Sequence, residues 1–271
     1  MAARDVFSLE FNGGIGCTFT ALYDDSIDNN VCVIDLSSKG IECPRNETGS
    51  GLAAVSVLSI TFNNCILTIG PHLHNDWFWC GPEEIRLPPL SCDTPEALLS
   101  ALREKGVPCH KTGTGRIMYD GEQALLVPIE HRRHGLDIPI VHTIVQMLGF
   151  QVTFNVATHK GVKVAAIFPN QTSPNYPDVK GPRGNLIITC ENVKYSRYSE
   201  QVVGFCSPSG PFGMPFTRDL QEYTRQLSVP GGLIERLIFK LEDSVGCPIK
   251  FAYGIPIMYV RILPLTRAVV L

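Results

Sequence analysis

The chain has 271 residues, of which 44% are hydrophobic and 18% charged. That charge content lies well under the roughly 25% of an average globular domain and excludes a disordered chain. The 24 Gly and 20 Pro make up about 16% of the residues, far short of a collagen or a low-complexity linker. The formal net charge of −3 excludes a dominant basic field, and with it broad binding to nucleic acid or to an anionic membrane surface.

In chain order, the first 80 residues read as strands: 6–11, 17–23, 31–36, 52–62 and 65–69, each rich in Val, Ile, Leu, Phe and Thr. Asn63-Asn64, between two apolar runs, predicts a hairpin turn. The first helix is expected over residues 94–105. Asp93 or Thr94 caps it, Pro95 suits its first turn, Gly106 suits its end, and Leu98, Leu99 and Leu102 share a face. Residues 116–119 and 123–129 flank Asp120-Gly121, a second hairpin signal. A second helix is expected over 138–148, with Val141, Ile144, Val145 and Leu148 inward and His142 outward. Residues 151–157 and 162–168 read as strands around His159-Lys160-Gly161.

Residues 169–184 hold four Pro and little apolar content, and read as a loop or link. Strands are expected at 185–191 and 201–206, then a Pro/Gly loop at 207–215. A helical hairpin follows. Thr217 caps a helix over 218–227, with Leu220, Tyr223 and Leu227 inward, and Pro230-Gly231-Gly232 turns the chain. Leu233, Ile234, Leu237, Ile238 and Leu241 then form a helical stripe. Strands at 249–253 and 257–263 close the chain. The expected fold is α+β: β-rich, largely antiparallel sheets with about four helices, as one domain or two tightly joined subdomains. The division is expected as 1–168 and 185–271, with 169–184 between them.

Asp5 and Glu10 interrupt the apolar core that a signal peptide needs, and no run of 18 apolar residues predicts a membrane span. An intracellular chain, cytoplasmic or nuclear and not secreted, is the expectation. The ten Cys contain no C-x₂-C pair, so they are expected as reduced, mostly buried small hydrophobes rather than disulfides or a structural zinc site.

Three short runs carry the candidate chemistry. His72-Leu73-His74-Asn75-Asp76 follows a predicted strand, and an H-x-H-x-D run there places two imidazoles and a carboxylate around a divalent metal such as zinc. With Asn12-Gly-Gly-Ile-Gly16 and Val31-Cys-Val-Ile-Asp35 upstream, this run resembles the opening of the metallo-β-lactamase family. The resemblance implies a metal-dependent hydrolase with His72, His74 and Asp76 as ligands. That family carries a further His after the Asp, where this chain has Trp77. Trp77 and Trp79, the two tryptophans, alternate on one strand face and are candidate partner-binding anchors. His131-Arg132-Arg133-His134, before Asp137 at the expected helix start, makes Arg132 and Arg133 candidate anion-binding residues.

No G-x-S-x-G nucleophile and no complete phosphate loop occurs. The primary reading is a non-enzymatic scaffold, adaptor or structural protein with no cofactor and another protein as partner. Its low charge, ten Cys and excess of Arg over Lys are common among proteins of large DNA viruses. The alternative is the metal-dependent hydrolase.

Overall fold

The computed structural model describes residues 17–23, 31–36, 40–45, 49–153, 155–192, 201–220, 224–254 and 256–265. The expected strand at 6–11 and the Gly-rich run at 12–16 lie outside them. The chain forms two compact units. One combines the residues up to Cys65 with those from Gly184 onward, and the other is Ile66–Arg183. The divisions fall at 65/66 and 183/184, so the second unit is an insertion in the first rather than a segment ending near 168.

The first unit begins with β1 (Cys17–Tyr23), β2 (Val31–Asp35), β3 (Ile41–Glu42) and β4 (Gly51–Asn63). The inserted unit contains β5 (Trp77–Cys80), β6 (Glu83–Arg86), α1 (Pro95–Glu104), β7 (Cys109–Lys111), β8 (Ile117–Tyr119) and β9 (Leu125–Pro128). It continues with β10 (Glu130–Arg133), β11 (Leu136–Pro139), α2 (Ile144–Met147), β12 (Val156–His159), β13 (Val162–Ile167) and β14 (Gln171–Thr172). The first unit then resumes with β15 (Leu186–Cys190), β16 (Val202–Cys206), β17 (Pro215–Asp219), β18 (Thr224–Val229), β19 (Leu233–Ile234), β20 (Arg236–Glu242) and β21 (Ile257–Leu265).

Strand makes up 47% and helix 11%, so the molecule is mostly β rather than α+β with about four helices. Among the described residues there are two α-helices, and α2 has only four residues. The first helix stands as expected. Thr94 Oγ1 accepts from the Ala97 N–H, Pro95 opens it, and Leu98, Leu99 and Leu102 are buried. The second shrinks to Ile144–Met147, because residues 136–139 are spent on the hairpin strand β11. Among the described residues, strands stand where the helical hairpin is expected. Residues 215–219 and 224–229 are strands on β4, and 236–242 is a strand between β2 and β15.

β4 organises the first unit. It is buried on both faces from Ala53 to Val57, which is why it reads as a continuous apolar run rather than an alternation. One edge pairs with β21, the other with β17 at Ser59–Asn63 and with β18 at Gly51–Ser56. A register shift opposite Tyr259/Val260 leaves Leu58 as an extra residue, and its carbonyl accepts from the Leu220 N–H at 2.7 Å. The full antiparallel order is β16-β15-β20-β2-β1-β21-β4-β17. Its far end curls back toward β4: Arg225 Nε on β18 donates to the Val202 carbonyl of β16 at 3.0 Å. Asn63-Asn64 makes no hairpin. Asn63 pairs with Pro215, and Asn64 is buried. Residues 249–253 make isolated bonds rather than a strand.

The inserted unit holds a five-stranded sheet, β12-β13-β9-β5-β6, a three-stranded sheet, β14-β8-β7, and the separate hairpin β10–β11. Asp120-Gly121 is not a hairpin, since β8 pairs with β7 and β14 while β9 pairs with β13 and β5. One core joins Phe78, Ile85, Leu125, Val127, Ala165 and Ile167 of the larger sheet to the buried faces of both helices. Three hairpins of this unit have two-residue loops: Gly81-Pro82 between β5 and β6 (Gly81 φ 58°), His134-Gly135 (φ 51° and 80°) and Lys160-Gly161 (φ 47° and 79°). In the last two both loop residues are left-handed, which matches the twist of the flanking strands. The turn around 159–161 and the strand after it stand as expected, but the strand before it is Val156–His159 rather than 151–157. No described helix is long and apolar enough to cross a membrane.

Candidate functional site

Pro71–Leu73 forms one 3₁₀ turn, and His74 leaves it in the left-handed region at φ 56°. Asn75 fixes this turn. Its Oδ1 accepts from the Gly70 N–H at 3.0 Å, and its Nδ2 donates to the Thr68 and His142 carbonyls, each at 2.9 Å. The turn therefore sends the three expected metal ligands in different directions. The His72 ring lies over Gly70. His74 stacks on His131 with ring centroids 3.8 Å apart and an interplanar angle of 17°. Asp76 is buried and sits 3.8 Å from the Arg86 guanidinium on β6. Among the described residues, no group of three or more His, Cys, Asp or Glu side chains is gathered to hold a metal ion.

Trp77 and Trp79 share the outer face of β5, opposite the core-facing Phe78. Their rings meet edge to face at 4.7 Å. Arg86 lies 5.5 Å from the Trp77 ring centroid and Lys160 lies 5.8 Å from that of Trp79. The two differ in exposure. Trp79 is buried against His159, whose ring is 4.7 Å away, while Trp77 is half-buried.

Arg132 and Arg133 lie on strand β10, and Asp137 lies on β11 rather than at a helix start. The helix terminus expected beside them is absent there, because α2 begins only at Ile144. Arg132 Nε pairs with Asp137 Oδ1 at 3.4 Å. Arg133 has no carboxylate within 4 Å among the described residues. Burial, then His74, then Arg133 hold the His131 imidazole below its usual value. The fold thus joins two runs far apart in the sequence: His74 of the first and His131 of the third.

The periodicity misplaces His142. It is buried, and its Nε2 meets the Asp178 carbonyl at 2.8 Å, while its own carbonyl accepts from Asn75. Of the eight cysteines with described side chains, six are buried. Burial pushes the Cys92 thiol up to about 11 and those of Cys109 and Cys206 up to about 12. These are protonated at neutral pH and poor nucleophiles.

A further surface, on the first unit, carries no sequence signal beyond a Pro/Gly-rich loop. Phe212 (48% exposed) and Met214 (56%) lie on this loop, and Tyr253 (49%), from a separate segment, meets Phe212 edge-on at 6.0 Å. Asn64 clamps the loop that carries Phe212 and Met214. Its N–H donates to the Met214 carbonyl at 2.9 Å, its carbonyl accepts from the Gly213 N–H at 2.8 Å, and its Nδ2 donates to the Gly210 carbonyl at 2.6 Å. Gly213 is required there: φ is +81°, and a Cβ would lie 2.3 Å from Tyr253 Oη. Below, Phe62 packs on Phe216 and Phe251 at 5.1 and 5.2 Å.

No protein-family model matches the chain, and no curated protein matches it. Among solved structures, the chain is similar to the crystal structure of the selenomethionine-labelled mavirus penton protein. The two are 7% identical, the match covers 93% of this chain and 99% of that one, and the TM-score is 0.42.

Proposed function

We propose that the chain is a structural protein that works by contact with other protein chains. The observation that carries this reading is the exposed trio of Phe212 and Met214, on a loop that Asn64 fixes by hydrogen bonds to residues 210–214, and Tyr253, which Phe212 meets edge-on. Rigid, exposed aromatic side chains lose little entropy on binding and bury much apolar area, so they dominate interface energetics. Grouped exposure of this kind costs a solitary protein solubility and is kept where a partner covers it. A structural protein of a large DNA virus is the specific form of this reading, in line with the low charge and the 14 Arg to 9 Lys.

The test is crosslinking mass spectrometry on the full chain in the cells that produce it. Intermolecular crosslinks should cluster around residues 210–216 and 250–254. They should disappear in a Phe212→Ser, Tyr253→Ser variant whose melting profile is unchanged. Intermolecular crosslinks that keep their sites and yields in the variant would overturn the reading.

A further inference from the structure

The β10–β11 hairpin has two chemically different faces. Cross-strand partners share a face, and successive residues alternate. The register pairs His131 with Ile138 and Arg133 with Leu136, so these four lie on one face. Glu130, Arg132, Asp137 and Pro139 lie on the other. That second face is neutralised internally. Arg132 pairs with Asp137 at 3.4 Å, and Glu130 with Lys163 at 3.9 Å.

The first face carries no acidic side chain. It holds Arg133, without a carboxylate among the described residues, and His131, stacked on His74. Beside these groups Leu136 is 69% exposed and Ile138 36%. Among the described residues β11 is also an edge strand, with β10 as its one partner, and every second residue of an edge strand turns its N–H and C=O outward.

We propose that this face docks an extended segment of a partner protein in which a carboxylate stands beside an apolar side chain. The inference rests on the reading above, of a protein that works by contact, and gives it a partner chemistry. The carboxylate meets the Arg133 guanidinium, which presents a planar fork to it. The ring edges of His131 and His74 line the same side. Leu136 and Ile138 cover the neighbouring apolar group, and the outer edge of β11 supplies main-chain hydrogen bonds. Charge complementarity selects this occupant. A single uncompensated guanidinium between apolar side chains, on a chain of net charge −3, suits one carboxylate better than a polyphosphate backbone or an anionic bilayer, which need a field of cations.

The experiment uses the full chain and a fluorescein-labelled peptide of alternating Glu and Leu, read by fluorescence anisotropy. Alternating Lys/Leu and Ser/Gly peptides serve as controls. Arg133→Ala and Leu136→Ser should each weaken binding of the Glu/Leu peptide about ten-fold, as loss of a charge-assisted pair or an anchor does. Arg132→Ala, on the opposite face, should leave it unchanged. Circular dichroism melts confirm that all three variants fold. Failure of the Glu/Leu peptide to bind overturns the proposal, and so does equal binding of the Lys/Leu peptide. Equal loss from Arg132→Ala also overturns it. Two further results would replace the proposed occupant: a dimer seen by sedimentation and abolished by Arg133→Ala, or uptake on phosphatidylserine vesicles without peptide binding. The crosslinks expected at Phe212 and Tyr253 belong to the other unit, so failure of this proposal is distinguishable from failure of the reading it rests on.

Discussion

His131 takes its character from a neighbour that the sequence sets far away. Alone, it is the first residue of a basic run. In the fold its ring lies flat on His74, which the left-handed exit of the 71–73 turn delivers to it. Burial, the His74 ring and Arg133 all disfavour its charged form. Its folded value is therefore below the unfolded value of about 6.5. As pH falls through that unfolded value, the unfolded chain binds the proton first, so stability falls with it. Thermal melts should show a lower Tm at pH 5.5 than at pH 7.5, with a smaller difference in His131→Phe. A variant with the same pH dependence as the parent would assign the effect to other groups. The residue types were legible in the sequence, as imidazoles and guanidiniums in short runs. Their partners were not, because spacing along a chain says nothing about what a turn does with each side chain. Asn75, the residue that sets the turn, carries no motif, and an amide in a polar run gives no sign that it binds two carbonyls and an N–H.

At the scale of elements, local signals succeeded where local physics decides. α1 was legible because Thr94, Pro95, Leu98, Leu99 and Leu102 each contribute within one short segment. Replacing Thr94 with Ala should lower stability by about 1 kcal/mol, the usual worth of an N-cap, measured by denaturant unfolding. A change under a few tenths would mean the 3.4 Å bond from Ala97 is not stabilising. The turn at Lys160-Gly161 was legible for the same reason, since the hairpin imposes its own backbone geometry. β20 failed because its pattern has two solutions. Leu233, Ile234, Leu237, Ile238 and Leu241 fit a helical stripe, yet Leu237, Phe239 and Leu241 also alternate, and those three are the fully buried ones. What chooses between the solutions is pairing with β2 and β15, supplied by residues 31–35 and 187–190. Such non-local hydrogen bonding overrides a periodicity read from one segment. The same holds for β17 and β18, drawn into strand form by β4.

At the scale of the whole molecule, composition gave the β-rich, low-charge character but not the insertion. No linker composition marks residues 65–66, since the chain passes from one core into another through apolar residues. The inserted unit has a core of its own, running from Ile69 to Val179. Residues 66–183 made alone should therefore give a dispersed amide spectrum and a cooperative melt, and a collapsed spectrum would show that the unit depends on the rest of the chain. One feature of that unit bears on the order of folding. Asn75 ties Thr68 to His142, and the His142 ring meets Asp178 and lies against Gly181, so both ends of the insert are gathered at one place. A flexible loop of this length between β4 and β15 would cost the host sheet several kcal/mol of closure entropy, roughly (3/2)RT ln n. An insert that has folded first presents the host with the closure of a short loop. The Asn75–His142 knot thus acts as a clasp. It lets the host sheet assemble as though its two sequence-distant halves were near neighbours, and fraying it would slow that assembly before it weakened the finished protein.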